Sequence, residues 1–137
     1  MRNRDDVCAR MQRAFSDILA SQLLFCNNFF NQSIACSYYA VFHAMKAVME
    51  YDGVERKQHK GILSYFNEHY INKGHISSVS ARVLHGLFEE RNIFTYDTER
   101  MASESGAQDA IRQSKIAVGD IINYLNAKGF EFDILDE

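Results

Sequence analysis

Across 137 residues there is no proline, where an average usage of roughly 5% predicts about seven. Helix interiors are therefore free of their strongest breaker, and 47% apolar with 24% charged residues is a globular composition that excludes disordered and collagen-like chains. The net charge of −3 argues against a broad non-specific nucleic-acid binder, while leaving room for one local basic groove.

The length fits a single domain, 1–137, that needs no disulfide or metal staple. Helix 1 is predicted from about Asp5 to Phe25, with an inward stripe of Val7, Met11, Ala14, Phe15, Ile18 and Leu19, then Gln22 and Leu23. Asn27 and Asn28 read as a break. Helix 2 follows from about Phe30 to Tyr51 with two adjacent apolar lines, one through Ile34, Tyr38, Val41, Met45 and Val48, the other through Ala35, Tyr39, Phe42 and Met49. So wide an apolar face suggests a central helix. From Ile18 to Met45 there are 28 residues without Asp, Glu, Lys or Arg, long enough to cross a bilayer. The serines, asparagines and glutamines among them favour a buried helix pair instead.

Helix 3 is predicted from about Gln58 to Tyr70, with Ile62, Leu63, Phe66 and Tyr70 inward. Helix 4 starts after Ser77, its expected N-cap, with a stripe of Val79, Val83, Leu84, Leu87 and Phe88. Helix 5 is expected to open with a capping box at Ser105-Gly106-Ala107-Gln108 and to end at Lys128-Gly129. Gly53, Gly74, Gly106 and Gly129 are read as marks where periodic segments stop. The tail Phe130-Glu131-Phe132-Asp133-Ile134 alternates apolar and acidic residues, as a short extended arm or frayed end does. Five helices with short connections give an all-α, up-and-down antiparallel helix bundle, whose longest link is expected at about Thr95 to Ser105.

Continuing the helix 4 stripe puts Arg91 where the pattern asks for leucine, with Asn92 alongside. Either the helix is ending and Arg91 snorkels or pairs with an acid, or it lines a groove and binds an anion such as phosphate. Around this point the chain resembles a known family. Helix 2 contains Ser37-Tyr38-Tyr39-Ala40-Val41-Phe42-His43-Ala44, helix 3 begins with His59-Lys60-Gly61, and helix 4 closes with Phe88-Glu89-Glu90-Arg91-Asn92 followed by Thr95-Tyr96-Asp97. Over about Arg13 to Asn126 this order is similar to the HEPN domain family, in its small stand-alone branch.

That resemblance implies a helical bundle, usually a homodimer. In many HEPN proteins an arginine, a polar residue and a histidine four to six positions on cleave RNA without metal. Arg91 and Asn92 match; at the place of the histidine stands Tyr96. A free phenol ionises near pH 10, at about that value a poor base in neutral solution, yet able to donate a hydrogen bond to phosphate. The resemblance also implies a nucleotidyltransferase-type partner protein in a toxin–antitoxin-like pair.

His43 lies at the edge of the helix 2 face, either as a hydrogen-bonded core residue or as a group facing Arg91 that partly replaces the missing histidine. His85 falls one position outside the helix 4 stripe and reads as a solvated or interface side chain. Arg56, Lys57 and Lys60 form the one dense basic cluster. They stand at a helix start, against the helix dipole, as a solvated loop or as a contact for an acidic partner or a nucleic-acid backbone. No phosphate loop and no metal spacing occurs, so no cofactor and no metal are expected. Cys8, Cys26 and Cys36 read as reduced, buried thiols, and with no apolar leader at the start the expected location is cytoplasmic. Tyr38, Tyr39, Phe29, Phe30 and Phe42 would suit a helix–helix dimer interface. Three functions stay open: a binding or regulatory module contacting nucleotide or RNA, a metal-independent ribonuclease using Arg91 with Tyr96 or His43, and a structural homodimer.

Overall fold

The computed structural model describes residues 2–135. Five helices form: α1 (Arg2–Cys26), α2 (Phe30–Tyr51), α3 (His59–Phe66), α4 (Val79–Tyr96) and α5 (Glu104–Ala127), with a π-helical turn at Asn67–Ile71 extending α3. Among the described residues there is no strand.

Helix α2 sits at the centre and packs against the other four. It meets α1 in antiparallel fashion: Asn3 at the start of α1 donates to the Glu50 and Tyr51 carbonyls at the end of α2 (2.8 and 2.7 Å). Two serines let these helices approach closely, since the Ser33 hydroxyl donates to the Ser21 carbonyl at 2.7 Å and both are buried. The break between the helices falls at Asn28, with φ of 67°, a left-handed conformation that asparagine tolerates better than most residues.

Two expected details are displaced. The buried line of α1 runs Val7, Met11, Ala14, Ile18, Ser21, so Leu19 and Leu23 lie outside it and are each 67% exposed. The α5 cap is Ser103, not Ser105: the Ser103 hydroxyl accepts the Gly106 N–H at 3.0 Å. Gly106 is thus inside the first turn of α5, while Gly53, Gly74 and Gly129 take positive φ just past helix ends. Ser77 does accept the Val79 N–H, at 3.3 Å, although the residue flanking α4 is Ser78. The link between α4 and α5 is short, residues 97–103.

The C-terminal arm is extended and held. Phe130 is buried, and the Asn126 side chain pairs with both backbone groups of Phe132 (2.9 and 3.0 Å). All three cysteines are free, but none is fully buried: Cys8 and Cys36 are half-buried and Cys26 is exposed. Among the described residues no helix is long and apolar enough to cross a membrane.

Candidate functional site

Arg91 lies near the end of α4 and reaches across to α2. Its Nη1 donates to the Tyr39 hydroxyl at 2.7 Å, and its Nη2 donates to the Asn92 side-chain oxygen at 2.8 Å. The guanidinium carbon stands 5.1, 5.6 and 5.5 Å from the ring centres of Tyr38, Tyr39 and Phe88. Aromatic faces attract a planar cation and fix its plane. Among the described residues no carboxylate lies within ion-pair distance of Arg91. It is half-buried, and its Nε is buried without a partner. A permanent charge is therefore held in place without a counter-ion, which is the arrangement an anion site needs.

Sequence reasoning missed two histidines here. His59, the first residue of α3, lies flat on Phe88 with ring centres 3.8 Å apart and planes 13° apart. Its Nδ1 is 3.1 Å from the Tyr38 hydroxyl. His85 stacks behind it at 5.9 Å, and its Nε2 lies 2.8 Å from a Glu89 carboxylate oxygen. Burial, with His85 and Arg91 adding to it, holds His59 below the usual imidazole range, so it is neutral at pH 7. Burial also pushes the Tyr38 phenol up to about 12. The α3 start carries no signal that it meets α4, so only the tertiary structure brings these rings together.

The other expected residues are placed differently. Tyr96 is 77% exposed and makes no hydrogen bond to Arg91; with Asn92, Asp97 and Arg100 it lines a shallow hollow beside the Arg91 cluster. His43 is buried and turns to α1, where Arg10 Nη1 donates to its Nδ1 at 3.1 Å. Arginine can only donate, so the ring proton is on Nε2, facing Asp17 at 3.7 Å. His43 thus reaches Arg91 only through Tyr39, whose ring centre is 6.4 Å away. Burial, reinforced by Arg10, Arg13 and Lys46, pushes His43 down to about 4.

Arg56, Lys57 and Lys60 are exposed at the α3 start, next to His59 in the chain. Arg56 lies 5.3 Å over the Tyr65 ring, and Lys57 pairs loosely with Glu55 at 3.8 Å. Tyr38 is buried within the chain, whereas Tyr39 is 38% and Phe29 54% exposed. No group of His, Cys, Asp and Glu suited to a metal ion occurs among the described residues.

Comparison with known proteins agrees with this architecture. A chain of Methanocaldococcus jannaschii that carries the name "Putative toxin" is 26% identical over 118 residues, 86% of this chain and 87% of its own length. A second chain of that name and organism is 20% identical over 118 residues, covering 86% and 80%. A UPF0332 protein of Pyrococcus horikoshii is 33% identical over 76 residues, covering 55% and 54%. The HEPN domain matches residues 7–122, a span from the first turns of α1 into α5 that includes every residue of the Arg91 cluster, and the chain belongs to the HEPN domain family.

Proposed function

We propose that this chain is the HEPN-type member of a toxin–antitoxin-like pair and binds RNA or nucleotide phosphate through Arg91. The observation that carries this reading is the uncompensated Arg91 guanidinium, oriented by Tyr39, Asn92 and three aromatic rings. The relatives named as toxins support the pairing with a second protein. A nucleotidyltransferase-type partner fits that scheme, as does a cytoplasmic setting. Exposed Leu19, Leu23 and Phe29 fit contact with a second copy.

A specific observation favours a second reading. His59 stacks against Phe88, one of the rings that hold Arg91, and His85 stacks on His59, so a proton-moving group stands near the arginine although Tyr96 occupies the usual place. In the ribonuclease reading these histidines, rather than His43, serve Arg91.

One experiment separates the readings. The protein is mixed with a fluorescent RNA in EDTA, and anisotropy and fragment length are both recorded. Binding without cleavage, weakened about ten- to a hundredfold by Arg91→Ala, is the expected result, since hydrogen bonds to charged groups contribute about 1.5–3 kcal/mol. Cleavage that disappears in Arg91→Ala moves the assignment to the ribonuclease. RNA binding unchanged by Arg91→Ala defeats both.

A further inference from the structure

The outer stripe of α2 is formed by Tyr39, Phe42, Lys46 and Glu50, positions that helical geometry stacks on one side, with His43 buried beneath it against α1. At one end Tyr39 holds Arg91. Ring contacts lead away from it, Tyr39 to Phe42 at 6.3 Å, and the Lys46 ammonium stands 5.7 Å over the Phe42 ring. At the far end α1 adds Arg10 and Arg13, and with Lys46 they line a cleft of about 500 Å³ closed by the loop after α2. From Tyr39 to Glu50 the stripe is about 16 Å long at 1.5 Å per residue.

The charges on this stripe are unevenly compensated. Arg10 is taken up by Glu50 at 2.8 Å and Lys57 by Glu55 at 3.8 Å. Asp17 faces His43, and Asp6 also lines the cleft. Arg13 and Lys46 have no carboxylate within ion-pair distance among the described residues. Burial and the nearby Arg10 hold the Lys46 ammonium below its usual range, against the opposing pull of Glu50 and Glu55. Arg13 and Lys46 therefore stand on the same side of α2 as Tyr39, which holds Arg91.

We propose that a single-stranded RNA lies along the outer stripe of α2, its backbone held by Arg91 at one end and by Lys46 and Arg13 at the other. The proposal rests on the reading of Arg91 as a phosphate-binding group and adds the direction and extent of the ligand. Cations alternate with rings along the line: Arg91 with Tyr39, Lys46 with Phe42. Backbone contacts interleaved with stacking faces suit a single strand, whereas a run of acidic side chains offers no aromatic base to stack on the rings.

The test compares a labelled RNA of about ten nucleotides, within the site sizes known for single-strand binders, with a labelled dinucleotide, both by anisotropy in EDTA over a salt series. Arg13→Gln with Lys46→Gln is expected to weaken the longer RNA at least tenfold and to spare the dinucleotide. It is also expected to reduce the salt slope by about 0.7 per lost contact. Arg91→Gln is expected to weaken both ligands. Arg13→Gln alone, at an exposed side chain, gives the smaller change without threatening the fold, which circular dichroism checks. If the double variant binds the longer RNA with the wild-type slope while Arg91→Gln fails, the track is overturned and the Arg91 reading survives. If Arg91→Gln binds both ligands normally, the Arg91 reading falls and the track as drawn falls with it. Displacement of the longer RNA by oligoglutamate at equal concentration would overturn the proposal in favour of an acidic protein partner.

Discussion

The Arg91 guanidinium on α4 donates to the Tyr39 hydroxyl on α2 at 2.7 Å, and this bond crosses between two helices that run in opposite directions. Asn92 takes a second donor of the same group. The two acceptors lie on different elements, so the plane of the guanidinium is fixed by the fold and not by α4 alone.

Tyr39→Phe removes one of these acceptors and keeps the ring. Tyr39 only orients the guanidinium, and Asn92 and the rings remain, so the loss is expected below the ~1.5–3 kcal/mol of a direct bond to a charged group, as a fall in RNA affinity of about two- to tenfold, with stability nearly unchanged. Arg91→Lys keeps the charge but loses the planar fork and its fit over the rings. It should bind more weakly than Tyr39→Phe, and anisotropy titrations rank the two. Equal affinity of Tyr39→Phe and wild type would show that the bond does not orient the site.

The pH dependence of stability follows from His43. Burial and three nearby cations push it down to about 4 in the folded chain, against about 6.5 unfolded. Between these values the unfolded state binds more protons, so stability rises with pH. The contribution is complete above about 6.5 and is lost as pH falls towards 4, with a size on the order of 2 kcal/mol. His59, also lowered, acts in the same sense. Asp17, raised chiefly by burial, acts in the opposite sense, favouring the folded state at lower pH. Urea midpoints between pH 4 and 7 should therefore fall with acidity in wild type and fall less in His43→Gln. A variant with the wild-type slope would remove His43 as the cause.

Core and surface aliphatic residues give a sharp contrast. Leu84 and Ile121 are fully buried, and truncating either to alanine is expected to cost about 2–5 kcal/mol. Leu19→Ala and Leu23→Ala, at exposed positions, should change stability by less than about 0.5 kcal/mol. Thermal melts of the four variants check this. A large loss at Leu19 in the monomer would mean that α1 is covered on that side.

Helix α2 was legible to the residue, because its apolar lines, the Asn28 break and Gly53 agree with one another. The inner side of α1 was legible only as far as Ile18. Beyond it the buried line passes through Ser21, and a polar residue that allows close helix contact carries no hydrophobic signal. Arg91 stood out from sequence because it interrupts a stripe of leucine type. Its partners did not, because Tyr38 and Tyr39 look like ordinary core aromatics and His59 looks like part of a basic loop. Periodicity shows which residues share a face but not which other element that face meets.

The start of α5 tests the same distinction at the level of one cap. Both Ser103 and Ser105 precede the apolar repeat, and Gln108 three residues after Ser105 made the latter look like a capping box. The Ser103 hydroxyl instead accepts the Gly106 N–H, and Asn31 on α2 accepts the Ala102 N–H at 2.8 Å. That second bond pins the chain before the helix and sets the cap two residues earlier. Ser103→Ala is expected to cost about 0.5–2 kcal/mol, while Ser105→Ala, inside the helix where alanine is favoured, should be neutral or slightly stabilising. Denaturation midpoints in the reverse order would place the cap at Ser105.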